Sequence, residues 1–527
     1  MRLSWSFYWS SCKSRLSALA CSLFYSRQRL RKRIARLRTR LKESQQCQRE
    51  QKSQLEQKQR EVELLQQRIA ELDAEQRRQA EPPPTLVLPD DPPLPHHQFG
   101  PRMISLCVNL SRRVGFRPAR AVLDIFFRWL GIAVDLPTWE TIRMWMLRVG
   151  VARMTQSLPK AKDYVWLVDH TNQIGPEKAL VVLAIRASQL PRRGKTLKRH
   201  HLRLLTVMPG TQWKTENMTQ TYQQLIERYG EPRAILVDGA AELRDSVKAL
   251  KPEEKEGKGP LVLRDFKHYL ANQLESVLGK DEQFAAFVSW VGQVRCATQQ
   301  TELAHFTPPS PKLKARFMNL SPLLRWAKMV LWHLDQPGSV ARHGILPERM
   351  EAKLGGLRAF AAKVEEWWCC QEVISEGLKF LNQNGLDHKT AGEFRQRVQK
   401  LARSESSQQI MMRAKEFLKT QAKDLAVGER LPLSTEILES TFGSYKRLER
   451  QHSKGGFTQL LPALGALLRP TTSKSIAQDF ERVKVKDVQD WVKKNMPKTL
   501  GSQRQKAYGE YCKTKRNLHK RAQQKTI

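Results

Sequence analysis

The spacing of hydrophobic positions along the chain changes several times, and each change marks a boundary. Over residues 16–75 they recur every seven residues. One position runs Leu16, Leu23, Leu30, Leu37, Ser44, Gln51, Lys58, Leu65, Leu72, and its companion runs Ala20, Arg27, Ile34, Leu41, Gln48, Leu55, Val62, Ile69. These are the d and a positions of a heptad with a polar middle, in a stretch free of Gly and Pro. The pattern predicts a basic coiled coil over 1–80 and, through it, a homo-oligomer. A single solvated helix is the alternative. Residues 81–95 read EPPPTLVLPDDPPLP. Proline at that density cannot continue a helix, so 81–98 is expected to be a stiff linker.

Helical spacing returns over 99–158. FRPARAVLDIFFRWLG ends at Gly131, and TWETIRMWMLRVG follows with Thr138 placed to cap it. Two short helices carrying Arg143 and Arg148, both expected on the surface, suit a helix-turn-helix DNA reader. They suit equally a helical hairpin packed on the next domain. The period then shortens. DYVWLVDHTNQIG, ALVVLAIRA and LRLLTVMPG read as three strands. A helix (ENMTQTYQQLIERYG), a buried strand (AILVDG), a helix (AELRDSVKAL), a strand (PLVLRD) and a helix (FKHYLANQLESVL) follow. That order predicts a mixed sheet with helices on its faces. From 266 to 430 nearly everything reads as helix. A last helix opens near Leu433, and 471–527 reads as a flexible basic tail.

Charge narrows the function. Of 527 residues, 91 are Lys or Arg against 52 Asp or Glu, a formal net charge of +39. Such an excess predicts a polyanionic partner, with double-stranded DNA the first expectation. The eight cysteines form no zinc-like pairs and suggest free thiols in a reducing cytoplasm. Lys13, Arg15 and Arg27 interrupt the apolar start, so neither a secretion signal nor a membrane span is expected. The stretch PRRGKTLKRHHLR over 191–203, with Arg192, Arg193, Lys195 and Lys198, is expected to touch the DNA backbone.

Two acids stand where acids are costly. Asp169 interrupts the apolar run VWLVDHT, and Asp238 ends AILVDG ahead of a glycine. A carboxylate in a central strand needs a partner or a metal. Ligand sites form at strand ends of α/β sheets. Hard cations such as Mg²⁺ favour oxygen ligands. A third carboxylate is expected from ESTFGSYKRLE: Glu439, with Glu436 one turn earlier as its alternative. Lys446 lies two turns on, placed for a phosphate. Asp265 and His268 read either as a pair behind the metal ligands or as a helix cap with a core histidine, the cap being favoured.

The segments LVDHT, LVDGA, RDFKHYLAN and TEILESTFGSYK, in this order, resemble the DDE transposases of bacterial insertion sequences, within the RNase H-like transposase and integrase superfamily. The likeness spans about 100–470. The Glu439–Lys446 spacing resembles one part of a signature of some such families, but Pro432 and Thr435 stand where its Tyr and Arg belong. The resemblance implies an α/β RNase H-like catalytic core (159–265 and 431–470) split by an all-α insertion (266–430). It also implies two Mg²⁺ or Mn²⁺ ions on Asp169, Asp238 and Glu439, and cleavage and transfer of DNA strands by a bacterial, nucleoid-associated protein. A metal-dependent nuclease of the same fold and a non-catalytic, transposase-derived DNA-binding protein remain the alternatives.

Overall fold

The structure is a computed structural model. It describes residues 27, 30, 33–35, 57–71, 90–174, 177–211, 213–250, 259–310, 317, 320–336, 338–341, 344–452, 460–496 and 500–524. The chain divides into two units, Met1–Asp90 and Asp91–Ile527. In the first, 57–71 is helical, with Val62, Leu65 and Ile69 exposed. Most of the expected coiled coil and residues 81–89 of the linker lie outside the described residues.

The second unit is built on a five-stranded sheet. Its strands are β1 (Tyr164–Ile174), β2 (Glu177–Arg186), β3 (Arg203–Gly210), β4 (Ala234–Val237) and β5 (Leu261–Arg264). Their order is β3-β2-β1-β4-β5. The first three pair antiparallel as consecutive hairpins, and β4 and β5 add parallel to β1. The apolar runs form these strands because both faces are covered. Trp166, Val168, Ile235 and Val237 point toward α4 (Thr215–Tyr229) and α5 (Ala241–Lys248), where Met218, Tyr222, Leu225, Leu243 and Val247 receive them. Val165, Leu167, Leu236 and Leu263 point into the larger core on the other side. This mixed sheet is compatible with the RNase H-like core expected from the sequence.

The larger core joins helices from both ends of the chain. Before the sheet come α1 (Pro101–Val114), α2 (Phe116–Trp129) and α3 (Trp139–Met154). Thr138 caps α3, its hydroxyl accepting from the Thr141 N–H. Helix α6 (Phe266–Leu278) follows β5. A helical body comes next: α7 (Glu282–Thr298), α8 (Ser321–Asp335), α9 (Gly338–Ala341), α10 (Pro347–Leu354), α11 (Ala361–Asn384), α12 (Thr390–Val398) and α13 (Glu405–Ala422). The chain then returns as α14 (Glu436–His452), packed on β1, and α15 (Ala463–Leu468), packed on α3 and β3. At the α3–α15 crossing a Cβ on Gly150 would overlap the Pro462 carbonyl, so glycine is what allows the approach.

Three expectations are corrected here. Arg148 is not a surface residue. Its guanidinium donates to the carbonyls of Val483 and Phe480 at 2.9 and 3.0 Å, lies 3.0 Å from His97 Nε2, and stacks on the Phe480 ring. Arg143 is half-buried, and burial lowers its pKa. Every residue from Trp145 to Met154 is buried, so the C-terminal half of α3 packs inside the body, while Trp139, Glu140, Thr141, Arg143 and Met144 at its start keep some exposure.

The basic tail, in turn, is largely structured. Helix α16 (Ser473–Arg482), the connection after it and α17 (Val485–Asn495) bury Ile476, Phe480, Val483 and Val488 in the larger core, and α18 (Leu500–Gln524) follows. An apolar stripe at helical spacing outweighs the surrounding charge. Finally, residues 91–98 are docked on the body and do not act as a free spacer. The Asp91 carboxylate accepts from the N–H groups of Arg102 and Met103 at 2.8 Å, and Leu94 packs on the core. Among the described residues no helix is long and apolar enough to cross a membrane.

Candidate active site

Strand register decides where the acids meet. Val168 of β1 pairs with Val237 of β4, and Val237 pairs with Arg264 of β5. Asp169, Asp238 and Asp265 each stand one residue further on. Three aspartates thus stand at one level of the sheet on three adjacent strands, Asp238 and Asp265 just past the ends of β4 and β5 and Asp169 within β1, which runs on to Ile174. Alternation along a strand puts Asp169 on the face of Val165 and Leu167, and Asp238 on the face of Leu236. That is the face α14 covers, and α14 carries Glu436 and Glu439 in its first turn.

The three aspartates are held differently. Asp169 is partly buried, and its Oδ1 accepts from the adjacent His170 N–H at 2.6 Å. Burial, then repulsion from Asp238 and more weakly from Glu439, pushes its pKa up to about 7. Asp238 turns the chain: its Oδ1 accepts from the Ala240 N–H at 2.8 Å, across Gly239 at φ +102°. Asp265 is fully buried. Its Oδ2 caps α6 through the His268 N–H at 2.8 Å and meets His268 Nδ1 at 2.6 Å, while Oδ1 takes the Thr435 N–H at 2.6 Å. The cap is therefore present. The same carboxylate also ties α6 to the residue before α14 and so places Glu439. His268 in turn has its pKa raised, burial notwithstanding, chiefly by Asp265 and further by Asp238 and Glu439.

The two glutamates separate. Glu436 receives the Asn382 side-chain amide and stands 3.4 Å from Lys267. Glu439 takes Lys267 Nζ on Oε2 at 2.6 Å, while its Oε1 is buried with no hydrogen-bond partner. Glu439 and not Glu436 contributes to the Asp169 shift. His170, on the opposite face, packs against Trp213 with ring centroids 5.6 Å apart. Burial and Lys178 lower its pKa to about 4, so it is neutral near pH 7.

Sequence reasoning missed Lys267, whose partners lie about 170 residues away, and Thr435, which acts through its backbone. Trp213 was also missed; it anchors its indole N–H on the Lys178 carbonyl at 3.0 Å.

The residues fit a divalent cation in kind. They are all carboxylates, one oxygen of Glu439 is orphaned, and burial, then repulsion from Asp238, opposes the ionisation of Asp169. They do not yet fit it in spacing. Among the described residues, no three His, Cys, Asp or Glu side chains stand close enough to enclose an ion.

Asp169 gives a pH test. Its pKa rises from 3.8 to about 7 on folding, so between these values the native state keeps a proton that the unfolded chain has released. Stability falls as pH rises through that window. In metal-free protein, Asp169→Asn should be neutral near pH 4 and stabilising at pH 8 by on the order of 2 kcal/mol, the shift being discounted for its water-facing edge. Urea melts at the two pH values check this.

The basic residues divide too. Arg193 is committed to Asp387 at 3.2 Å and to Glu393, and so ties the β2–β3 loop to α12. Arg192, Lys195 and Lys198 are exposed. Lys195 and Lys198 line a groove of about 330 Å³ with Arg199, Arg430, Asn382 and Glu436. Lys446 on α14 is exposed as well.

Fold and site together define an α/β protein with carboxylates gathered at the C-terminal edge of a mixed sheet. No protein-family profile matches the chain, and no curated protein matches it. Among solved structures, a Drosophila P element transposase strand transfer complex aligns with 72% of this chain and 92% of its own, at 12% identity and a TM-score of 0.37. A score that low does not establish a common fold.

Proposed function

We propose that this chain is a DNA transposase of the DDE class, of the kind that moves an insertion sequence, cutting and joining strands by metal-dependent phosphoryl transfer. The observation that carries the reading is the register that sets Asp169 beside Asp238 on the sheet face covered by α14, with Glu439 in that helix's first turn. A net charge of +39 supplies the reason to expect DNA as the partner. The N-terminal heptads would bring two copies to two DNA ends.

Asp169, Asp238 and Glu439 would hold two Mg²⁺ or Mn²⁺ ions. Bound there, such ions lower the pKa of an attacking water or 3′-hydroxyl and offset charge on the leaving oxygen. Asp238 is fixed by its own turn and Asp169 by the His170 N–H, so neither must be ordered when the substrate arrives. Asp265 holds the start of α14 and hence Glu439 in place. Arg192, Lys195, Lys198 and Lys446 would contact the DNA backbone; Arg193, Arg143 and Arg148 are engaged within the protein.

Neutralising Arg192, Lys195 and Lys198 together should lower the slope of log K against log salt by about 2 to 3. Fluorescence anisotropy over a salt series reads it, and an unchanged slope removes this loop from the interface. The reaction itself is tested with DNA ends taken from either side of the gene. Joining of pre-cut 3′ ends to a target plasmid in Mg²⁺ is expected, whereas cutting without joining indicates a nuclease. Two observations favour a non-catalytic DNA-binding protein, for which neither cutting nor joining is expected: the ion pair of Lys267 with Glu439, and the lack, among the described residues, of three His, Cys, Asp or Glu side chains close enough to enclose an ion.

A further inference from the structure

The acidic edge contains a cation of its own. Lys267 is the second residue of α6 and lies largely out of solvent, its side chain 17% exposed. Nζ stands 2.6 Å from Glu439 Oε2 and 3.4 Å from Glu436 Oε1. The backbone that carries the lysine is tied to the backbone that carries the glutamates. The carboxylate of Asp265, two residues before Lys267 and one before α6, accepts from the N–H of Thr435, one residue before α14, and the Phe266 N–H donates to the Leu433 carbonyl at 3.0 Å. Both ends of the ion pair are thus carried on backbones bonded to each other. The Glu439 oxygen that Lys267 does not hold is the buried, partnerless Oε1.

We propose that Lys267 is a positioning residue and resident counter-cation of this site: by gripping Glu439 through Oε2 and Glu436 through Oε1 it fixes the direction of Glu439 Oε1 and sets how tightly the acidic edge takes a divalent cation. The inference rests on the reading that Asp169, Asp238 and Glu439 are the metal ligands. Its physical content is a competition. An ammonium in contact with a ligand carboxylate stabilises the metal-free acids and repels an incoming divalent ion, and both effects are moderated by water because the Glu439 and Glu436 side chains are 33% and 35% exposed. The site is consequently stable without metal and binds it more weakly than three carboxylates alone would.

The test is a titration of the full-length chain with Mn²⁺ in the absence of DNA, free Mn²⁺ being read by its electron paramagnetic resonance signal. Lys267→Met should bind Mn²⁺ about tenfold more tightly than the parent. It should also melt lower in EDTA and recover more on adding Mn²⁺. Lys267→Arg, which keeps the charge, should stay near the parent affinity. A lysine that merely stabilised the fold would lower the melting temperature in EDTA without tightening Mn²⁺. Asp238→Asn separates the two layers of the argument. If the parent binds Mn²⁺ in an Asp238-dependent way and Lys267→Met binds it equally or more weakly, the role of Lys267 is overturned and the metal reading stands. If the parent shows no Asp238-dependent Mn²⁺, the metal reading fails and takes the inference with it. Should Lys267→Met not fold, Lys267→Gln serves in its place against the same thresholds.

Discussion

On the proposed function, replacing Asp169 or Asp238 with Asn should abolish metal-dependent DNA cleavage, the rate falling by a factor on the order of 10³ or more, while DNA affinity in EDTA should stay within about twofold. Asn is the informative substitution. At 238 it keeps an oxygen for the Ala240 N–H, so the turn into α5 survives and only the charge goes. At 169 it removes a carboxylate that burial and Asp238 already hold partly protonated. Stability therefore does not fall, and lost activity cannot be ascribed to unfolding. Nicking of supercoiled plasmid in Mg²⁺ or Mn²⁺ reads the first quantity and anisotropy the second. Retained nicking by either purified variant removes that aspartate from the site.

Asp265→Ala should lower the stability of the Asp91–Ile527 unit by about 3 kcal/mol and depress cleavage in the molecules that remain folded. One buried carboxylate satisfies the Thr435 N–H, the His268 N–H and His268 Nδ1, at 2.6, 2.8 and 2.6 Å. Removal leaves buried donors unpaired, uncaps α6 and releases the start of α14. The loss differs from that at Asp169 or Asp238 in kind: it appears in a urea melt without metal or DNA. A change under about 1 kcal/mol would show that Asp265 is not the joint between α6 and α14.

Much of the sheet was legible in the sequence, because the five strands are apolar runs bounded by turn residues and flanked by periodic helices. Asp169 and Asp238 stood out for related reasons: an acid inside an otherwise apolar run, or closing one, has few inexpensive explanations. Glu439 could not be separated from Glu436 by pattern, since both lie in the first turn of α14. The orphaned Oε1 and the effect on Asp169 distinguish them. Arg148 was misread because an arginine on a helix has no local sign of burial; its partners, Phe480 and Val483, come from the other end of the chain. Those residues were misread in turn, their apolar stripe diluted by the surrounding lysines. Lys267 was missed because an ion pair formed when α14 returns to the sheet leaves no trace in neighbouring residues.

The central claim is that Asp169, Asp238 and Glu439 share divalent metal at the C-terminal edge of the sheet. Anomalous diffraction at the manganese edge, from crystals grown with Mn²⁺, tests it most directly. The account predicts an anomalous peak ligated by both aspartates, with Glu439 Oε1 turned toward it. Manganese bound elsewhere, or an acidic edge still closed by Lys267 at saturating Mn²⁺, would contradict it.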